Sequence, residues 1–158
     1  SDREVRDSSL KALYKANEYT LAKVFPSSTV STTLNTPGVV SNNLTTIIVN
    51  LQIEGLHNWP AAKEKLPEVA YLSDLHRHMF HITVEKAVSH SDRDVEIIMF
   101  KRQIESMLTV DYYDSEFGCC NFKSMSCEMI AEKILDAFKC TSVTVLEDGE
   151  NGAKIVKQ

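Results

Sequence analysis

Apolar and polar residues alternate strictly from Thr46 to Glu54, with Ile47, Val49, Leu51 and Ile53 in one row and Ile48, Asn50, Gln52 and Glu54 in the other. A period of two with one apolar row predicts a strand buried on one face. If the strand stays extended through Gly55, the same parity puts His57 on the Leu51/Ile53 side. A second strand is predicted over His76–Val88, where His76, His78, Phe80, Ile82, Val84 and Val88 share a row broken only by Lys86. His81 falls on the opposite, wetter face, and His90 lies in the following turn, His90–Asp94.

Helical spacing appears elsewhere. Leu10, Leu13, Tyr14, Leu21 and Val24 fall on one face of an amphipathic helix over residues 1–25, which Pro26 ends. Ser27 to Asn43 is rich in Ser, Thr, Asn and Pro and reads as a loop or extended arm. Residues 1–43 are therefore an N-terminal helical extension, and residues 44–158 the domain proper. Inside the domain, Val95–Phe100 reads as a short strand leading into a helix with Phe100, Ile104, Met107 and Leu108 on one side. Asp111–Lys123 reads as a loop. A second helix, Ser126–Lys139, has Ser126 as N-cap and a stripe of Cys127, Ile130, Ala131, Ile134 and Phe138. Strands Ser142–Glu147 and Ala153–Val156 flank a turn, so the order is β-β-(β)-α-α-β-β, an α+β domain.

With 158 residues, 43% hydrophobic and 25% charged, the chain is the size and composition of a single globular unit. Its formal charge of −5 argues against a protein that coats nucleic-acid phosphates. No uncharged apolar run approaches 18 residues, so no membrane span is expected. Cys119, Cys120, Cys127 and Cys140 contain no C-x-x-C spacing, and no basic-apolar leader opens the sequence. Reduced thiols and a cytoplasmic location follow as expectations.

The histidines carry the chemistry. His-x-His on a strand puts two imidazoles on one face about 7 Å apart at Cα. His57 supplies a third if the two strands pair antiparallel. Three neutral imidazoles around an ion with one open position form the catalytic zinc pattern. The alternative is a set of hydrogen-bonded histidines without metal. Imidazoles in an apolar row need some partner to offset their desolvation, which favours the ion.

The run Leu75-His76-Arg77-His78-Met79-Phe80 resembles the Leu-His-Gly-His segment of the 6-pyruvoyl-tetrahydropterin synthase family, which includes the 6-carboxytetrahydropterin synthases of queuosine and 7-deazaguanine biosynthesis. Ile53-Glu54-Gly55-Leu56-His57 is similar to that family's first-strand segment ending in its first zinc histidine. Val95–Lys101, Ser126–Ala131 and Val143–Glu147 resemble, in order, its third-strand segment, second-helix start and penultimate strand. The resemblance covers residues 46–156. It implies a T-fold: a four-stranded antiparallel sheet with two helices on one face, assembled as trimers or hexamers. It also implies Zn²⁺ on His57, His76 and His78. Glu147 would anchor the guanidine-like edge of a pterin or purine, as a carboxylate accepting two parallel N–H bonds can; without the resemblance it reads as an ordinary carboxylate at a strand end.

Two proton-handling parts of that family are missing. Its cysteine, four residues before the first histidine of the pair, is Leu72 here, and the stretch before the second helix reads Phe117-Gly118-Cys119-Cys120-Asn121 without an Asp-His pair. Cys119 or Cys120 could replace the thiolate, become a fourth zinc ligand, or simply be loop thiols. Trp59, Tyr112 and Tyr113 either line a ring-stacking pocket or cover a subunit interface. Three functions fit: a zinc-dependent lyase or synthase acting on a dihydropterin triphosphate or related ring; a non-catalytic metal- and ring-binding or assembly protein on the same fold, with residues 1–43 joining subunits; and an unrelated three-histidine zinc hydrolase with Glu147 as general base.

Overall fold

A computed structural model describes residues 43–158. The predicted N-terminal helix and almost all of the arm lie outside these residues. Strand β1 (Thr45–His57) and strand β2 (His76–Val88) pair antiparallel along their whole lengths, from Thr45 opposite Val88 to His57 opposite His76. The stretch between them folds into one short turn of helix, α1 (Ala62–Lys65), and a 3₁₀ segment, Pro67–Ser73. Helix α2 (Ile97–Tyr112) leads into β3 (Tyr113–Asp114) and β4 (Cys119–Asn121). Helix α3 (Cys127–Phe138), β5 (Ser142–Glu147) and β6 (Asn151–Val156) complete the domain.

The sheet has six strands in the order β3-β4-β1-β2-β5-β6, antiparallel except for the β1–β4 pair. The expected four-stranded antiparallel sheet is met only in part: β1-β2-β5-β6 are contiguous and antiparallel, but β3 and β4 extend the β1 edge and make the sheet six-stranded. These two strands have two and three residues, too short to show a period, and the sequence there reads as a loop. Val95–Phe100 also differs from expectation, since Ile97 already begins α2. The Glu96 side chain accepts hydrogen bonds from the amides of Ile98 (3.1 Å) and Met99 (2.8 Å), capping the helix there. A four-residue apolar run is compatible with either element by pattern alone.

Both long helices cover the same sheet face. Val49, Leu51, Phe80, Ile82, Val84, Val143 and Val145 share one parity across the register and pack with Phe100, Ile104 and Leu108 of α2 and Ile130 and Ile134 of α3. The other face is open, with Ile48, Asn50, Gln52 and Glu54 exposed. Helix α3 begins where predicted: Ser126 Oγ accepts from the Met129 amide at 3.2 Å. It ends at Lys139, a left-handed residue with φ 50°.

Candidate metal centre

The parity that builds the core also builds the site. One end of the helix-covered face is polar: His57 lies opposite His76, Gly55 opposite His78, and Phe80 opposite Glu147. The β1 strand does stay extended through Gly55, so all three predicted histidines point the same way. Their ring centroids are 4.7 to 5.3 Å apart, and one nitrogen from each lies within 4.8 Å of the others. Gly55 leaves room beneath His78. A Cβ there would stand 2.5 Å from Phe122 Cε2, because the Phe122 ring occupies that space and packs edge-on to Phe80. Phe80 in turn meets His57 and His78 edge-on at 5.2 and 5.8 Å. An aromatic floor thus fixes the ring planes.

Each imidazole is held from behind. His57 Nδ1 donates to the Met125 carbonyl (2.9 Å), His76 Nδ1 to the Asp74 carbonyl (2.8 Å) and His78 Nδ1 to Asp148 Oδ2 (2.6 Å). A carbonyl oxygen can only accept, so His57 and His76 must carry their proton on Nδ1. Asp148 acts as an acceptor for the same reason, its carboxyl held below the usual range by the His78 hydrogen bond and by the Met79 amide at 2.9 Å. The Nε2 atoms are left as lone pairs directed into the site. Those of His57 and His78 are buried and make no hydrogen bond. Burial lowers the His57 pKa below its ordinary 6.5, against the opposing pull of the Met125 carbonyl and Glu147. Converging imidazoles, each oriented by a second oxygen, form a group that could hold a metal ion.

Glu147 completes the cluster. Its Oε1 lies 3.0 Å from His57 Nε2 and its Oε2 3.6 Å from His78 Nε2. The Cys127 thiol is 3.7 Å from Oε1 and donates to it. Burial, and then the Glu147 charge, push that thiol up to about 12, so it remains protonated. A cavity of about 330 Å³ opens over the cluster, with Trp59, Leu72 and Cys127 in its wall beside His57, His76 and Glu147.

Cys119 and Cys120 lie elsewhere, on β4, and neither lines this cavity. The Cys120 thiol points to the Leu108 carbonyl at 3.7 Å, and burial pushes it up to about 12. Cys119 is raised by burial, with Arg77 opposing. The thiol that reaches the site is Cys127, which the helical period identifies only as a buried position. Asp148 falls in the turn that follows Glu147, and nothing in the sequence pattern assigns it to the site. Tyr112 and Tyr113 line a separate hollow of about 490 Å³. His81 sits in the outward row and His90 is exposed in its turn.

No protein-family model matches the chain, and no curated protein matches its sequence. Among the described residues no helix is long and apolar enough to cross a membrane.

Proposed function

We propose that the protein is a zinc-dependent T-fold enzyme of the tetrahydropterin synthase type, acting on a dihydropterin triphosphate or a related purine-like ring as a homo-oligomer. The observation that carries this reading is the convergence of three imidazoles with their Nδ1 protons already committed, at the mouth of a ring-sized cavity. The contiguous antiparallel unit β1-β2-β5-β6 under two helices supports the fold assignment. Zinc fits the nitrogen-rich donor set, and when bound it supplies a Lewis acid that polarises ligand oxygens.

The chain's own residues supply recognition. Trp59, 38% exposed at the rim, offers a face for a planar ring. Glu147 offers two oxygens to a guanidine-like edge. Cys127 holds Oε1 and, protonated at neutral pH, is a proton donor placed in the wall. Leu72, in the same wall, gives the position of the resembled family's cysteine no proton to transfer.

That substitution also supports a second reading, a non-catalytic metal- and ring-binding protein on the same fold. Incubating the purified protein with dihydroneopterin triphosphate and following products by mass spectrometry separates the two. The enzyme reading expects turnover that requires zinc and disappears in His76→Ala. Tight ring binding without turnover would establish the second reading instead. Metal analysis with native mass measurement should find one zinc per chain in a closed oligomer.

A further inference from the structure

We propose that the cavity over the histidines takes a dihydropterin or related ring that carries no phosphate chain. The inference rests on the reading above and narrows it: the ring and its site remain, and the polyanionic tail does not.

The charges in the wall carry it. Two carboxylates line the cavity, Glu147 at the end of β5 and Glu128 in the first turn of α3. Among the described residues, no lysine or arginine lines it. The neighbouring cations are engaged elsewhere. Lys123, next in the chain to Ser124, lines the separate hollow beside Tyr112, and Lys63 pairs with Asp74 at 3.7 Å. A phosphate monoester brings about −1.5 to −2 charges at neutral pH and is recognised by Arg or Lys. The positive end of the α3 dipole would favour such an anion, but Glu128 in its first turn already answers it. The charge of a divalent ion on the three imidazoles is likewise matched by the two carboxylates, which leaves no surplus to draw a polyanion.

The uncharged groups of the wall point the same way. Asn58 spends its amide donor on the Ser73 carbonyl at 3.0 Å and keeps its side-chain oxygen as an acceptor. Glu147 adds two carboxylate oxygens. Such a wall accepts hydrogen bonds from ring N–H, amino and hydroxyl groups, and it repels ionised phosphate oxygens, which only accept.

The test is calorimetric titration of the zinc-loaded full chain with dihydroneopterin and with dihydroneopterin triphosphate, each at low and high salt. At low salt dihydroneopterin should bind at least about tenfold more tightly, and the gap should narrow as salt screens the repulsion. Glu128→Lys should narrow it at low salt by at least about threefold, by tightening the triphosphate. Equal or tighter binding of the triphosphate would overturn the inference and leave the ring-binding site standing. Binding of neither compound would overturn both the inference and the reading it rests on. If Glu128→Lys does not fold, the wild-type salt series decides by itself: a triphosphate affinity that falls as salt rises marks contacts with cations and rejects the proposal.

Discussion

The two ends of the helix-covered sheet face obey one alternation rule and answer burial in opposite ways. At one end Val49, Val84 and Val143 lie side by side across three strands, all 4% exposed or less. They need only shape and a helix above them. At the other end His57, 7% exposed, occupies the same row geometry with a nitrogen that finds no hydrogen bond. Burying such a group costs stability unless something binds it. The apolar end therefore makes the fold, and the polar end leaves buried nitrogens that could hold an ion.

The sharpest way to break this contrast is to make the polar end apolar. His57→Leu should abolish stoichiometric zinc binding, read by metal analysis after gel filtration, yet leave the stability of the metal-free protein within about 1 kcal/mol of wild type. A large loss of metal-free stability would mean the imidazole is structural. At the apolar end, Phe80→Ala should cost about 3–5 kcal/mol in chemical denaturation, because Phe80 is fully buried beneath both the helices and the histidines. A cost below 1 kcal/mol would contradict the packing described.

Asp148→Asn should weaken zinc by about tenfold, equivalent to about 1.4 kcal/mol, through loss of charge behind His78. Asparagine tolerates the φ of 54° at this position, so the fold should be unaffected. Unchanged affinity would show that Asp148 does not tune the metal.

Acid acts on the same polar end. In metal-free protein, burial holds the His57 pKa below 6.5, whereas the unfolded chain takes up that proton near 6.5. Between the two values the unfolded state binds more protons, so stability rises with pH in that window and falls on acidification. This contribution is no steeper than about 1.4 kcal/mol per pH unit, and His57→Leu should remove it. Denaturation with a chelator at pH 5.5 and 7.5 measures it; parallel losses in both proteins would assign the slope to other groups. The smallest effect expected is that of Ser126→Ala, about 1 kcal/mol for a lost helix cap in the cavity wall between Met125 and Cys127.

How much of this could be read from the sequence follows from the range of each interaction. The β1 and β2 rows were legible because a period of two persists over many residues, and with them the common side of His57, His76 and His78. The start of α2 was not, since it depends on the Glu96 carboxylate turning onto the Ile98 and Met99 amides. Nor were the supports of the site. Met125 and Asp74 act through backbone carbonyls, which no side chain advertises, and Cys127 meets Glu147 across 20 residues of chain. Asp148 reaches His78 because a left-handed residue turns its carboxylate back over the strand, a conformation no hydrophobic period encodes.

The turn between β5 and β6 has a consequence for how this chain can vary. Glu147 and Asp148 are neighbours in sequence, yet one faces His78 Nε2 at 3.6 Å and the other grips His78 Nδ1 at 2.6 Å. A single dipeptide pinches one imidazole from both sides. Inserting a residue between them would misplace one jaw or the other. The β5–β6 hairpin is therefore fixed in length by chemistry, and loop grafting intended to reshape the cavity rim should leave it intact.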